Sequence, residues 1–255
     1  MGTPQSPAPI LVALITAHPW KDIAMPSILV TGANRGLGLA FTRLYADAGW
    51  RVHAGCRDPD TADALAAVAS NAAGRVSAHR LDVTDAADIA ALAESLGSDA
   101  LDVLVNNAGV SGGASQAFGE TDYGRWEETL RVNTLAPMRM AEAFVGHVAR
   151  SERRLIVCIS SRMGSISDNM SGGAYVYRSS KAALNAVVKS LAVDLRRRGI
   201  GVVALHPGWV ATDMWGSATR LSTAERVYGM AAVIERLTPA DSGWFLSYDG
   251  SAIPW

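Results

Sequence analysis

Tyr177 and Lys181 are the two side chains whose types and spacing most directly suggest chemistry. They lie four residues apart in a segment of helical spacing, which places both on one helical face. A free tyrosine has a pKa of about 10, and a neighbouring ammonium favours the phenolate and lowers that pKa. Tyr175 is six residues from the lysine and points elsewhere. The spacing alone is common and usually structural, so the pair indicates a general acid or base only in the company of further motifs.

A glycine-rich turn lies near the start of the chain. The strand-like run Ser27–Thr31 leads into residues 31–38, which read TGANRGLG, and a helix-like segment follows. Glycines in this position let the backbone turn tightly and approach a pyrophosphate, and the helix start supplies free N–H groups. The turn therefore predicts a dinucleotide site. The residues expected to contact the cofactor here are Gly32, Asn34, Arg35, Gly36, Leu37 and Gly38.

The end of the second predicted strand bears on the choice of cofactor. An NAD site usually has an acid here for the ribose 2′-hydroxyl, and this sequence has the neutral Cys56, followed by Arg57. Together with Arg35 in the glycine turn, Arg57 favours a 2′-phosphate through charge-assisted hydrogen bonds. Asp58 could instead accept the 2′-hydroxyl or pair with an arginine. NADP(H) is the expected cofactor, and NAD(H) remains the alternative.

Apolar runs of strand length alternate with Ala-rich segments of helical spacing, and most runs are continuous enough for parallel strands buried on both faces. The predicted strands are Ser27–Thr31, Arg51–Cys56, Arg75–Leu81, Leu101–Asn106, Arg154–Ser160, Gly201–His206 and Phe245–Tyr248. The predicted helices are Leu37–Ala48, Thr61–Asn71, Asp85–Leu96 (with Thr84 as N-cap), Asp122–Arg150, Ala174–Arg198 and Thr223–Arg236. This alternation predicts an α/β fold, a single-domain doubly wound Rossmann sheet of about seven mostly parallel strands with helices on both faces.

The composition is that of a globular chain. Of the 255 residues, 49% are hydrophobic and 18% are charged, and the net charge of −1 argues against a basic nucleic-acid-binding surface. The two cysteines, Cys56 and Cys158, are far apart, and no Cys/His cluster has zinc spacing. We therefore expect no metal, no disulfide framework and no nucleic-acid partner.

The residues before the first predicted strand are interpreted as an N-terminal extension. Their longest apolar run, Ile10–Ala17, is too short to span a bilayer, and no Lys or Arg precedes it as in a signal peptide. The expected organisation is an extension over residues 1–25 and one Rossmann-fold domain over residues 26–255. With two unpaired cysteines and no convincing leader, a cytoplasmic location without membrane attachment is expected.

Five ordered motifs resemble those of the short-chain dehydrogenase/reductase family, and they extend over about residues 26–255. They are the glycine turn, Asn106–Gly109, Ile159–Ser161, the Tyr177/Lys181 pair and Pro207–Gly208. Residues 160–166, the pair Tyr177-Arg178 and the chain end from Tyr248 further resemble sniffer-type carbonyl reductases and C-factor-like proteins. The resemblance implies an oxidoreductase that uses a nicotinamide dinucleotide.

The resemblance also implies roles for four catalytic residues. Tyr177 would donate a proton to the carbonyl oxygen during reduction, and Lys181 would lower the pKa of Tyr177 and bind the nicotinamide ribose. Ser161 would hold the carbonyl oxygen, with Ser160 as the alternative for that role. Asn133 would support a water-linked proton relay to Lys181.

The remaining implied contacts concern the cofactor and the substrate. Those to the cofactor, besides Tyr177 and Lys181, are Asp82 and Val83 at the adenine, Asn106, Asn107, Ala108 and Gly109 near the adenosine ribose, and Pro207, Gly208, Val210 and Thr212 at the nicotinamide. The substrate candidates are Met163, Met170, Trp209, Met214 and Trp215, for which packing or a subunit contact is the alternative. The stretch from Ser161 to Tyr177 is longer than in many members, and we expect it to loop over the substrate.

The function expected from these motifs is NADP(H)-dependent hydride transfer to an aldehyde or ketone, or the reverse alcohol oxidation. Two alternatives are a reductase of a defined steroid, acyl or pteridine metabolite, and a dinucleotide-binding signalling protein of C-factor type. The resemblance also implies a homodimer or homotetramer that forms through the long predicted helices. His206 and Cys158 are interpreted as core residues, and Arg196–Arg198 as a solvated helix end.

Overall fold

The strands form one parallel sheet that runs through the middle of the protein. The structure is a computed structural model and describes residues 25–113, 116–208 and 222–255. Its strands are β1 Ser27–Thr31, β2 Arg51–Cys56, β3 Val76–Arg80, β4 Val103–Asn106, β5 Leu155–Ile159, β6 Gly201–His206 and β7 Phe245–Ser247. They lie in the order β3-β2-β1-β4-β5-β6-β7, and each neighbouring pair is parallel. The predicted fold class is confirmed.

In the described part of the chain, seven α-helices surround the sheet: α1 Gly36–Asp47, α2 Asp63–Asn71, α3 Ala86–Leu96, α4 Tyr123–Leu130, α5 Ala136–Arg150, α6 Tyr175–Asp194 and α7 Thr223–Arg236. Side chains alternate along each strand, so β1 places Ile28 and Val30 in one core and Leu29 in the other. The first core includes residues of α1, α2 and α7, and the second includes residues of α3, α5 and α6. The continuous apolar runs of the sequence reflect this burial on both faces.

The strand order reverses between β2 and β4, which lie on either side of β1. In open α/β sheets, ligands bind in the crevice at the carboxyl ends of the strands beside such a reversal. The Thr31 hydroxyl at the end of β1 accepts the Asn107 and Ala108 N–H groups at 3.0 and 2.9 Å. These bonds join the two loops that form the crevice.

The predicted helical segment over residues 122–150 is helical from Tyr123 to Arg150, with a π-helical turn over Arg131–Leu135 between α4 and α5, and Pro137 lies in the first turn of α5. One local prediction is wrong. Thr84 is not the N-cap of α3. Asp85 is, since its Oδ1 accepts the Ala87 N–H at 2.7 Å, while the Thr84 hydroxyl donates to Asp82.

Residues 1–24, which make up nearly all of the predicted extension, lie outside the described ranges. None of the helices within those ranges combines the length and the apolar character needed to cross a bilayer.

Candidate active site

The first turns of α6 bring Tyr177 and Lys181 together inside the crevice. The Lys181 side chain is buried, and its Nζ donates to the Ile159 carbonyl oxygen at 2.8 Å and lies 5.9 Å from the centre of the Tyr177 ring. Burial lowers the pKa of Lys181 to about 8, against a smaller opposing effect of Cys158. The ammonium and the neutral amine are therefore about equally populated near pH 8.

The pKa of Tyr177 is not lowered as the sequence suggested. Burial raises it, and the hydrogen bond with the Ser161 side chain acts in the opposite direction with a smaller effect. The Lys181 ammonium is itself partly discharged by burial and faces the ring of Tyr177, so it does not offset this rise. In the absence of a ligand the tyrosine is thus held as the neutral phenol at physiological pH.

The two serines at the end of β5 have different surroundings. Ser160 Oγ is buried and donates to Asn185 Oδ1 at 2.6 Å, so its hydroxyl is occupied by a core contact. Ser161 precedes the short helical turn Arg162–Gly164, accepts the Met163 N–H at 3.2 Å and hydrogen-bonds Tyr177. The geometry thus favours Ser161 over Ser160 as the polar partner of the tyrosine.

Asn133 projects from the π-helical turn toward the loop after β4. Its Oδ1 accepts the Val110 N–H at 2.9 Å, and its Nδ2 donates to the Val110 carbonyl oxygen at 2.8 Å and to Ser180 Oγ at 3.0 Å. A Cβ on Gly109 would lie 3.2 Å from Asn133 Oδ1 and 3.7 Å from Lys181 Nζ. Asn133 and Lys181 therefore flank the same glycine, and a side chain there would crowd the Asn133 amide oxygen.

The glycine turn forms a cradle for a phosphate group. A Cβ on Gly38 would overlap the Gly32 carbonyl oxygen, and Gly32 itself has a φ of +67°. Gly36 has a φ of +55° with open space on its Cβ side. Within the described residues, α1 has no acidic side chain in its first turn and Arg35 makes no capping bond through its side chain, so the N–H groups of this turn can bind an anion. These residues fit a dinucleotide.

The adenosine end of the crevice carries one arginine more than the sequence suggested. Arg80 pairs with Cys56 in the register of β3 and β2, and its Nη1 donates to the Arg57 carbonyl oxygen at 3.2 Å. The same Nη1 lies 4.0 Å from Asp58 Oδ1, so Asp58 has a cationic neighbour, although both side chains are exposed. The sequence does not reveal that Arg80 lies near Arg57 and Asp58, because this proximity depends on the register between β2 and β3.

Asp82, the predicted adenine contact, is also influenced by these arginines. Burial raises the pKa of its carboxyl group, but two hydrogen bonds from Thr84 and the charges of Arg57 and Arg80 outweigh that effect and lower the pKa overall. Val83 is buried beside it, and Asn107 Nδ2 donates to the Thr31 carbonyl oxygen at 2.7 Å. Asp82 is therefore an anion that is already satisfied within its own loop.

The nicotinamide end is described as far as Gly208. Gly208 has a φ of +76°, and a Cβ there would lie 3.0 Å from the Tyr248 ring and from Arg226 Nη1. His206 Nδ1 accepts the Arg162 N–H at 3.3 Å, and burial lowers its pKa to about 4, in keeping with a neutral core histidine. The predicted residues outside the described ranges are Trp209, Val210, Thr212, Met214 and Trp215.

The stretch between Ser161 and Tyr177 is held by contacts with the end of the chain and with α6. Ser167 donates through N and Oγ to the carbonyl oxygen of Trp255 at 3.2 and 2.7 Å, and Arg178 Nη2 donates to Ser171 Oγ at 2.8 Å. Met170 is 93% exposed. Met163 borders a cavity of about 230 Å³ with Trp126, Ser165, Tyr175, Arg178 and Ala182. Arg178 and Ala182 lie about 100° and 140° from Tyr177 around the axis of α6, so the stretch packs on a neighbouring side of the helix, and its position over a substrate stays a prediction.

One contact of Tyr177 was not predicted from the sequence. The Tyr177 N–H donates to Gln116 Oε1 at 2.8 Å across 61 residues of chain. No local pattern links two positions so far apart. Within the described ranges, no group of three or more His, Cys, Asp or Glu side chains is placed to hold a metal ion.

Comparison with known proteins agrees with the geometry. The family model for short chain dehydrogenases matches residues 26–221. The C-signal protein of Myxococcus xanthus is 46% identical over 155 residues, which cover 61% of this chain and 93% of that protein. The carbonyl reductase Sniffer of D. melanogaster has a TM-score of 0.85 and 34% identity, covering 91% of this chain and all (100%) of that chain. An NADPH-bound carbonyl reductase from chicken fatty liver has a TM-score of 0.83 and 37% identity with the same coverage, 91% and 100%.

Proposed function

This chain belongs to the short chain dehydrogenase family, and we propose that it is an NADP(H)-dependent carbonyl reductase whose general acid is Tyr177. The observation that carries the proposal is the meeting of Tyr177, Ser161 and Lys181 in the crevice that the glycine turn borders. The carbonyl reductases that share its fold support the reaction class.

In the proposed reaction, the carbonyl oxygen of an aldehyde or ketone is held between Ser161 and Tyr177. The glycine turn and Lys181 would hold a reduced nicotinamide dinucleotide, which would supply the hydride for the new C–H bond. Tyr177 gives its proton to the oxygen, so that the product is the alcohol, and its raised pKa keeps it protonated at neutral pH until the oxygen gains charge. Lys181 would bind the ribose, and Asn133 would connect the lysine to solvent through water, as the family resemblance implies.

The preference for NADP(H) over NAD(H) is part of the proposal. Arg35 and Arg57 supply two guanidinium groups for a 2′-phosphate. Arg80 lies beside Asp58 and competes with a ribose 2′-hydroxyl for the Asp58 carboxylate. NADPH and NADH are titrated separately by nicotinamide fluorescence. Tighter binding of NADH would contradict the proposed preference for NADP(H) but would not contradict the proposed carbonyl reduction.

Tyr177→Phe is the direct test of the reaction. The variant should lose at least ~100-fold in kcat, since a general acid contributes on this scale, and should bind NADPH as the wild type does. Tyr175→Phe is the matched control, because Tyr175 lies two residues away and is 40% exposed. Equal activity in both variants would rule out the assigned acid.

A signalling protein of C-factor type is the second candidate, favoured by the identity with C-signal. Such a protein would bind the dinucleotide without needing turnover. A cellular signalling activity that survives Tyr177→Phe would support it, whereas loss of both functions in that variant would tie the signal to catalysis.

We also propose a cytoplasmic homodimer or homotetramer that acts on a small carbonyl or alcohol compound. The two cysteines are unpaired and buried, which suits a reducing compartment. Leu135 and Val193 expose 48% and 58% of their apolar side chains near and on the helices expected to form the interface. Light scattering across a protein concentration series tests the assembly.

A further inference from the structure

Gln116 connects the loop after β4 to the backbone of the proposed acid. Its Nε2 donates to the Ser111 carbonyl oxygen at 2.7 Å and to the Gly113 carbonyl oxygen at 3.1 Å, while its Oε1 accepts the Tyr177 N–H at 2.8 Å. The opposite amide orientation would set N–H against N–H and oxygen against two carbonyl oxygens, so the network fixes which atom faces the tyrosine.

The Tyr177 N–H needs such a partner. The first intrahelical bond of α6 runs from the Arg178 N–H to the Ala174 carbonyl oxygen, so the N–H groups before it have no acceptor within the helix. Ala174 occupies the N-cap position with a left-handed backbone, φ 48°, and its side chain cannot cap. Gln116 therefore performs from another segment the capping that serine or aspartate usually performs locally.

The same loop is held at its other end by Asn133. Val110 exchanges both of its backbone hydrogen bonds with the Asn133 side chain. Ser111 follows Val110 in the chain, and its carbonyl oxygen accepts from Gln116, so these bonds connect Asn133, beside Lys181 at Gly109, with the backbone of Tyr177. A shift of Gln116 would move the phenol relative to Ser161 and the lysine.

We propose that Gln116 is a positioning residue, which caps α6 at Tyr177 and so fixes the height of the phenol over the reacting carbonyl. This inference rests on the proposed reductase function. Gln116 itself touches neither substrate nor cofactor, because its three polar bonds are all made to backbone groups. Its effect should appear in turnover and not in cofactor affinity.

Two substitutions separate the acceptor function of the Gln116 side chain, toward the Tyr177 N–H, from its donor function toward the loop carbonyl oxygens. Gln116→Leu removes the acceptor and both donors at similar volume, whereas Gln116→Glu keeps an oxygen for the Tyr177 N–H and loses the donors to the loop. Asn71→Leu is the control, since the Asn71 side chain also bonds a backbone group, its Nδ2 donating to the Ala67 carbonyl oxygen at 2.9 Å, at the exposed end of α2.

The experiment combines amide hydrogen exchange at Tyr177, read by NMR, with steady-state reduction of nitrobenzaldehyde, hexanal and menadione by NADPH. We expect Gln116→Leu to expose the Tyr177 amide to exchange and to lower kcat by ~10-fold or more at unchanged NADPH affinity, because small misplacements of a reacting group are costly. Gln116→Glu should recover most of the protection and of kcat, and Asn71→Leu should match the wild type in both.

Wild-type protection of the Tyr177 amide in Gln116→Leu would overturn the cap. Lost protection with an unchanged kcat would overturn the positioning role. A wild-type protein that reduces none of the three carbonyls would instead count against the proposed function, and the positioning role would fall with it. The exchange data would still show in that case whether the cap exists, so the two failures are distinguishable.

Discussion

Tyr177 and Lys181 occupy surroundings that alter the pKa of both groups in a direction useful for reduction. Burial raises the pKa of the phenol and lowers that of the amine to about 8. A donor tyrosine must hold its proton until the carbonyl oxygen gains negative charge, and a raised pKa does this. The sequence predicted the pair and its spacing, but the direction of the tyrosine shift depends on burial, which no spacing of residues reveals.

The lysine makes stability depend on pH in a predictable direction. Its pKa is near 10.5 in the unfolded chain and about 8 when folded, so the unfolded state binds more protons in between and stability rises with pH. Relative to Lys181→Met, the ligand-free wild type should therefore gain up to about 3 kcal/mol between pH 7 and pH 10. Denaturant unfolding of both proteins at the two pH values measures the gain, and a constant difference would contradict the buried charge.

Arg57 should determine the choice between the two dinucleotides. Replacing it with serine removes a charge-assisted bond to a 2′-phosphate, so NADPH should bind ~10-fold more weakly or worse while NADH binding stays unchanged. Arg43→Ser on the exposed side of α1 is the control for net charge. Equal weakening of both dinucleotides by fluorescence titration would show that Arg57 does not read the phosphate.

At the scale of elements, the predictions succeeded where the physical cause is local. Three strands, β1, β2 and β6, match their predicted limits, because burial on both faces makes them continuous apolar runs bounded by polar residues. The helix predicted over residues 122–150 is present, but its π-helical turn around Asn133 was missed, since that turn has no propensity signal and is sustained by bonds to Val110 and Ser180. Gln116 and Arg80 were missed for the same reason: their partners are distant in sequence.

The entry into α6 is a strained element whose strain can be measured. Gly172, Gly173 and Ala174 follow one another at φ 63°, 62° and 48°, and only the alanine pays a steric penalty there. Ala174→Gly should raise the free energy of unfolding by about 0.5 kcal/mol, whereas Ala186→Gly in the exposed interior of the same helix should lower it by about 1 kcal/mol. Denaturant midpoints give both values, and a loss of equal size in the two variants would refute the strain.

At the scale of the whole molecule, the carboxyl ends and the amino ends of the parallel strands carry different features. The proposed site lies at the carboxyl ends, while a buried ion pair lies at the amino ends, just before β5. Arg153 Nη1 is 2.9 Å from Glu235 Oε2, both side chains are about 5% exposed or less, and Tyr45 of α1 donates to the same carboxylate at 3.2 Å. The pair thus ties β5, α7 and α1 together, far from the tyrosine.

This separation predicts that the ion pair affects stability without affecting catalysis. Glu235→Leu leaves the Arg153 guanidinium buried without its counter-charge and should lower the free energy of unfolding by about 3–5 kcal/mol. The triple variant Arg153→Met/Glu235→Leu/Tyr45→Phe should recover most of that loss, because it replaces the pair by apolar side chains and also removes the Tyr45 hydroxyl that would lose its acceptor. NADPH affinity and kcat of the folded fraction should stay at wild-type values in both. Unfolding curves measure stability, and kinetics at a single temperature measure kcat. A fall in kcat that follows the fall in stability would mean that the Arg153–Glu235 pair also holds the proposed site in place.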